Sequence, residues 1–119
     1  MAEKKDALML ARKAIYALED KKAKDIKVID ISEVSVLADY FIIASGRNST
    51  QIQTLSDAVI KALGEEGVTT KQVEGYQNAQ WVLLDFGDLI VHIFDEENRL
   101  FYDLERIWLD GKQINPEEL

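Results

Sequence analysis

Trp81-Val82-Leu83-Leu84-Asp85-Phe86 and Leu89-Ile90-Val91-His92-Ile93-Phe94 are two apolar runs separated only by Gly87-Asp88. Two such runs around a glycine-containing dipeptide read as a β-hairpin with a two-residue loop. With that loop, Phe86 faces Leu89, Leu84 faces Val91, and Val82 faces Ile93. Strand alternation puts these six side chains on one face, and every one is apolar. The other face carries Trp81, Leu83, Asp85, Ile90, His92 and Phe94, which adds an acid and an imidazole to large aromatics. One reading of this second face is the centre of a protein–protein interface, where aromatic and aliphatic groups mix with a few polar ones. The other is that helices cover both faces, with Asp85 and His92 satisfied at the strand ends.

Outward from the hairpin, the pattern alternates helix and strand. Ala7, Leu10, Ala11, Ala14, Ile15 and Leu18 recur at helical spacing within Glu3 to Lys22, and Lys21-Lys22 suit the negative end of that helix. Lys27 to Ile31 is rich in β-branched residues, and Asp39 to Ser45 is nearly all apolar, as in a strand covered on both faces. Asn48 followed by Gln51 has the spacing of a reciprocal helix cap, before the stripe Ile52, Leu55, Val59, Ala62 and Leu63. Gly64 and Gly67 are stop signals. Lys71 to Glu74 reads as a short polar strand, and Gly75 as a turn. After the hairpin, Asp95-Glu96-Glu97 opens a final helix with Leu100, Leu104, Ile107 and Trp108 on one side. Tyr102, Asp103, Glu105 and Arg106 form its solvated face. The order α, β, β, α, β, β, β, α predicts an α/β fold with a single mixed β-sheet packed with helices.

The composition narrows the function. The chain has 119 residues with 14 basic and 22 acidic side chains, a formal net charge of −8. It suits one domain, residues 1–110, with a polar C-terminal tail, residues 111–119, expected to fray around Pro116. The acidic balance argues against direct phosphate-neutralising nucleic-acid binding. Cysteine is absent and His92 is the single histidine. That excludes a disulfide scaffold, thiolate zinc sites and two-histidine metal sites. No stretch has the length of a membrane span and no secretory leader is visible, which points to the cytoplasm.

Motifs of chemistry are weak. Asp85-Phe86-Gly87 matches a kinase metal-binding tripeptide, but the glycine-rich and catalytic loops of kinases are missing. Asp85, Asp88 and Asp95 as magnesium ligands have no adjoining basic residue in sequence to hold a phosphate, so no metal is assigned. Ser45-Gly46-Arg47-Asn48 between strand and helix lacks the second glycine and the lysine of a phosphate loop. A capped strand-to-helix turn explains it better. The alternative function carried by these fragments is a magnesium-dependent nucleotide-binding or nucleotidyltransferase-type enzyme.

Taken together, Asp39-Tyr40-Phe41-Ile42-Ile43-Ala44-Ser45-Gly46, Glu74-Gly75, the hairpin from Trp81 to Phe94, and Arg99-Leu100-Phe101-Tyr102-Asp103-Leu104-Glu105-Arg106-Ile107-Trp108 resemble the ribosomal silencing factor family, also known as Iojap. The likeness runs from the first helix to Trp108 with the motifs in the same order. It implies a nucleotidyltransferase-like fold without the catalytic signature, and a role that is not enzymatic and needs no cofactor. It further implies binding to the large ribosomal subunit through its universal surface protein numbered fourteen. Joining of the small subunit is then blocked sterically, and translation is repressed in stationary phase or starvation. Homodimers are a tendency of the family. The family's contact motif falls on Trp81, Val82, Leu83 and Asp85, with Asp88 and His92 as neighbouring partner-binding positions. Alternation agrees for Trp81, Leu83 and Asp85, but sends Val82 to the helix-packed face.

Overall fold

The hairpin forms in the expected register and becomes one side of a larger sheet. The computed structural model describes residues 4–33, 38–96 and 112–114. In chain order these give α1 (Lys4–Asp20), β1 (Lys24–Asp30), β2 (Tyr40–Gly46), α2 (Ser49–Glu65), β3 (Gln72–Glu74), β4 (Trp81–Asp85), β5 (Leu89–Asp95) and β6 (Lys112–Ile114). The six strands form one mixed sheet in the order β3-β4-β5-β2-β1-β6. Only β2 and β5, the central pair, run parallel; Ile43 lies opposite His92 and Phe41 opposite Ile90.

Between β4 and β5, Val82 pairs with Ile93 and Leu84 with Val91, and the Phe86 amide donates to the Leu89 carbonyl at 2.9 Å. Gly87 closes the turn at φ +95°, a conformation that side chains with a Cβ adopt at a cost. The Asp88 carbonyl accepts from the amides of Asp39 and Tyr40, at 2.9 and 3.1 Å, and so ties the turn to the start of β2.

The six apolar hairpin residues are buried under both described helices. Ala7, Ala11, Ala14 and Leu18 of α1, with Ile52, Leu55, Val59 and Leu63 of α2, join them in one core. Here the 3.6-residue stripes meet the 2-residue alternation of the strands, and burial of each large aliphatic side chain contributes ~1.5–3 kcal/mol. On the opposite face a smaller cluster gathers Ile29, Ile31, Ala38, Phe41, Ile43, Ile90 and Phe94, with Trp81 and Leu83 packed against it. The strand Tyr40–Gly46 is accordingly buried along its whole length.

Both helices end in a left-handed residue that returns two backbone hydrogen bonds. At α2 this is Gly67, with φ +82°; its amide reaches the Gly64 carbonyl and that of Val68 reaches Leu63, each at 2.9 Å. Of the two expected stop signals, only Gly67 stops the helix, because Gly64 still belongs to its last turn. Beyond its own helix backbone, no atom of the described residues lies within 4 Å of a Cβ added at Gly64. Gly64→Ala is therefore expected to raise stability by ~1 kcal/mol, read as a higher urea midpoint at unchanged slope. At α1 the left-handed residue is Lys22, with φ +66°. Its amide donates to Glu19 at 3.0 Å and the Ala23 amide to Leu18 at 2.9 Å. Lys21 and Lys22 thus lie beyond the helix rather than inside its last turn.

The tail differs from expectation. Lys112–Ile114 is not frayed but pairs antiparallel with β1, Ile114 opposite Val28 and Lys112 opposite Asp30. A three-residue polar strand carries no periodic signal of its own, and the partner's open edge supplies the structure. The final helix expected after Asp95, with Leu100, Leu104, Ile107, Trp108 and the solvated Tyr102, Asp103, Glu105 and Arg106, lies outside the described residues, as does Pro116.

Candidate functional site

The face opposite the two helices holds most of the residues singled out from sequence. Because directly opposed residues share a face, one row across it runs Glu74, Leu83, His92, Ile43, Lys27, and the next runs Gln72, Asp85, Ile90, Phe41, Ile29. Trp81 lies opposite Phe94 at the end of the hairpin. Trp81, Leu83, Asp85 and Asp88 are half-buried, so part of each faces solvent. Val82 is different. It is 0% exposed within the helix-packed core, and only a rearranged hairpin would let it touch a partner.

His92 is also enclosed, at 4% exposure. Its ring meets Phe41 edge-on, with centroids 5.0 Å apart and planes at 76°, and lies nearly parallel to Phe94 at 6.3 Å. The indole of Trp81 stacks on Phe94 at 5.2 Å and donates its Nε1–H to His92 Nδ1 at 3.1 Å. An Nδ1 that accepts places the imidazole proton on Nε2. That Nε2 is buried with no hydrogen-bond partner among the described residues. Burial lowers the His92 pKa from 6.5 to about 4, so the ring is uncharged at neutral pH. It offers neither a charge for an acidic partner nor a base near pH 7.

The two turn acids do different work. One Asp85 carboxylate oxygen accepts from the Gly87 amide at 2.8 Å, while the Asp85 carbonyl accepts from the Lys71 amide at 2.7 Å. Asp85 is therefore a turn-fastening residue as well as a rim acid. The Lys71 side chain drapes over the turn, its Nζ 3.1 Å from the position a Cβ would take on Gly87. Sequence adjacency places no cation beside these acids; strand pairing brings one there. Glu74 was missed for the same reason. The run Lys71 to Glu74 reads as a strand, but nothing in it names β4 as its neighbour. Phe41 was missed because a run of continuous apolar residues does not say which side chains face which way.

The strand-to-helix turn behaves as a cap. Asn48 Oδ1 accepts from the Gln51 amide at 2.8 Å, and Gln51 Oε1 accepts from the Arg47 amide at 2.6 Å. The reciprocal bond thus lands one residue earlier than in the usual box. The Ile52 amide goes to the Asn48 carbonyl at 3.0 Å. The Arg47 and Gln51 amides are thus taken by the cap itself, as a capped strand-to-helix turn requires. A surface groove of about 400 Å³ lies between α1 and α2, lined by Ala17, Lys21, Thr54, Asp57 and Lys61 among others. It belongs to the helical side of the sheet and does not join the hairpin face. Among the described residues, no group of three or more histidines and carboxylates is arranged to hold a metal.

With this geometry in view, the relatives are informative. The sequence profile of a family described as "Ribosomal silencing factor during starvation" matches residues 4–119. The chain is similar to the ribosomal silencing factor RsfS of Halalkalibacterium halodurans, 36% identical over 108 residues that cover 91% of this chain and 92% of that protein. It is likewise similar to the RsfS of Bacillus subtilis, 39% identical over 98 residues, covering 82% and 83%. A crystal structure of a protein from Chromobacterium violaceum superposes with a TM-score of 0.84 at 36% identity, covering 92% of this chain and 90% of that one.

Proposed function

The chain belongs to the ribosomal silencing factor family, and on that premise we propose that it binds the large ribosomal subunit and sterically prevents the small subunit from joining. Its contact on the ribosome is the universal surface protein numbered fourteen, and the consequence is repression of translation in stationary phase or starvation. The role is regulatory rather than catalytic, and its place of action is the cytoplasm. No helix among the described residues is long and apolar enough to cross a membrane.

The observation that carries this reading is the half-buried line of residues along β4 and into its turn. Trp81 and Leu83 expose apolar surface along the strand, and the half-buried acids Asp85 and Asp88 follow at its turn end. An apolar centre beside an acidic rim suits a basic protein surface, and the net charge of −8 disfavours the surrounding ribosomal RNA. Occlusion needs only an interface of ordinary size and no bond chemistry. Homodimers are compatible with this reading, because a dimer that leaves the hairpin end open occludes the same surface.

A sucrose-gradient profile of subunits and joined ribosomes, with and without the purified protein, tests the proposal. Saturating protein is expected to shift joined particles towards free subunits. Asp88→Lys reverses a rim charge while leaving the backbone carbonyl that ties the turn. It is expected to weaken co-sedimentation with large subunits at least about tenfold. Trp81→Ala is expected to do the same. Unchanged subunit joining at saturating wild-type protein contradicts the proposal.

A further inference from the structure

We infer that His92 is a positioning residue of the docking face, whose Nδ1 lone pair fixes the orientation of the Trp81 indole that the partner meets. The inference rests on the reading of the hairpin end as the docking face. It assigns His92, named from sequence as a contact, a different task.

Three observations converge on it. First, His92 is 4% exposed and Val82 lies on the far face, so neither side chain reaches a partner docked on the hairpin end. Second, Trp81 opens β4, and β3 pairs only with Leu83, Leu84 and Asp85 beyond it. An indole at a strand end has two torsions to fix. The ring stack on Phe94 restrains its plane, and the hydrogen bond to His92 selects which edge points inward. Third, the imidazole carries a cost that phenylalanine would avoid, a buried Nε2–H with no acceptor among the described residues. The ring packing on Phe41 and Phe94 is equally available to phenylalanine. What phenylalanine lacks is an in-plane lone pair, and that lone pair is the atom Trp81 uses.

The consequence for recognition is specific. With its N–H turned inward to His92, Trp81 presents ring carbon surface outward, so the partner surface opposite it is apolar or cationic rather than a hydrogen-bond acceptor. Leu83, opposite His92 in the hairpin, extends the same apolar strip.

The test compares His92→Phe with His92→Asn in the full chain. Asparagine keeps an acceptor near the position of Nδ1; phenylalanine keeps the ring and removes the acceptor. Three readouts are taken: the melting temperature, binding to purified large subunits, and the ¹H–¹⁵N resonance of the Trp81 indole. For His92→Phe the melting temperature is expected to stay level or rise, because the orphaned donor is gone. Binding is expected to weaken about five- to tenfold, the worth of one lost hydrogen bond. The indole resonance is expected to move upfield as its hydrogen bond is lost. His92→Asn is expected to keep the downfield resonance and to bind within about threefold of wild type. Phenylalanine binding like wild type, or an indole resonance indifferent to both changes, overturns the inference. So does equal weakening by both variants. If wild-type protein fails to bind large subunits, the function reading falls, and the indole resonance alone then decides the positioning role.

Discussion

Alanine at position 75 is expected to lower the unfolding free energy by roughly 3 kcal/mol or more, a loss large enough to leave much of a marginal domain unfolded. Gly75 has φ +78°, where any L side chain is strained by ~1–2 kcal/mol. A Cβ there would also collide with the Trp81 carbonyl oxygen and stand 3.2 Å from its carbon. Both atoms are backbone, so no rotamer change relieves the overlap. The 75–80 segment would have to lift away from β4, yet it is closed on itself by the Ala79 amide on the Gly75 carbonyl at 2.9 Å and tied to the end of β5 by the Asp95 amide on the Gln80 carbonyl at 3.0 Å. Gly67→Ala is the control. It shares the left-handed backbone, at φ +82°, but has nothing within 4 Å of the added carbon. Urea unfolding of the two variants separates conformational strain from collision. Equal losses would mean that the close approach to Trp81 has no weight.

A second large effect is expected in acid. His92 is pushed down to about 4 by burial, from an ordinary value of 6.5. The folded state therefore binds fewer protons than the unfolded state between those two values, and stability falls as pH falls through that window. The full contribution is present above pH 6.5. It declines by ~1.4 kcal/mol per pH unit and has lost ~3 kcal/mol by pH 4. On the same face Asp85, Glu74, Lys27 and, in the row of Phe94, Lys24 are described ionisable groups, from β4, β3 and β1, and Phe41 and Ile43 of β2 are neutral. The histidine is the single one in the chain, so the decline between pH 6.5 and 5 is read against a variant that lacks it. Urea midpoints across this range are expected to slope for wild type and to flatten for His92→Phe. A flat wild-type profile would show that the ring is charged at no cost.

What the sequence made legible follows from what is local. The hairpin register was readable because alternation and Gly87-Asp88 together leave one pairing with six apolar residues on a face, and those six are the buried ones. The Asn48–Gln51 cap was readable for the same reason: donor and acceptor lie within one turn. The α1 terminus was half readable. Lys22 looks like a charge suited to a helix end, yet its structural work is done by its backbone at φ +66°. β6 was illegible, because Lys112–Ile114 is a strand only by virtue of β1 beside it. The place of His92 was hidden too. Its burial depends on Phe41 and Ile43 of β2, and its hydrogen bond crosses the hairpin diagonally to a residue that is not its direct partner.

The pairing order of the sheet has a consequence for how the chain assembles in time. β4 and β5 are neighbours in sequence, so their hairpin closes with little loop entropy. The parallel union of β2 with β5 joins Tyr40 to Leu89, a separation of 89 − 40 = 49 residues. The edge union of β1 with β6 joins Val28 to Ile114, a separation of 114 − 28 = 86 residues. During synthesis from the N-terminus, β1 and β2 emerge first and wait with open edges until the hairpin and then β6 arrive. Contacts this distant slow folding. The hairpin that bears the proposed docking residues is therefore the natural nucleus on which the earlier strands condense, and substitutions within it should retard folding more than equally destabilising ones in β6.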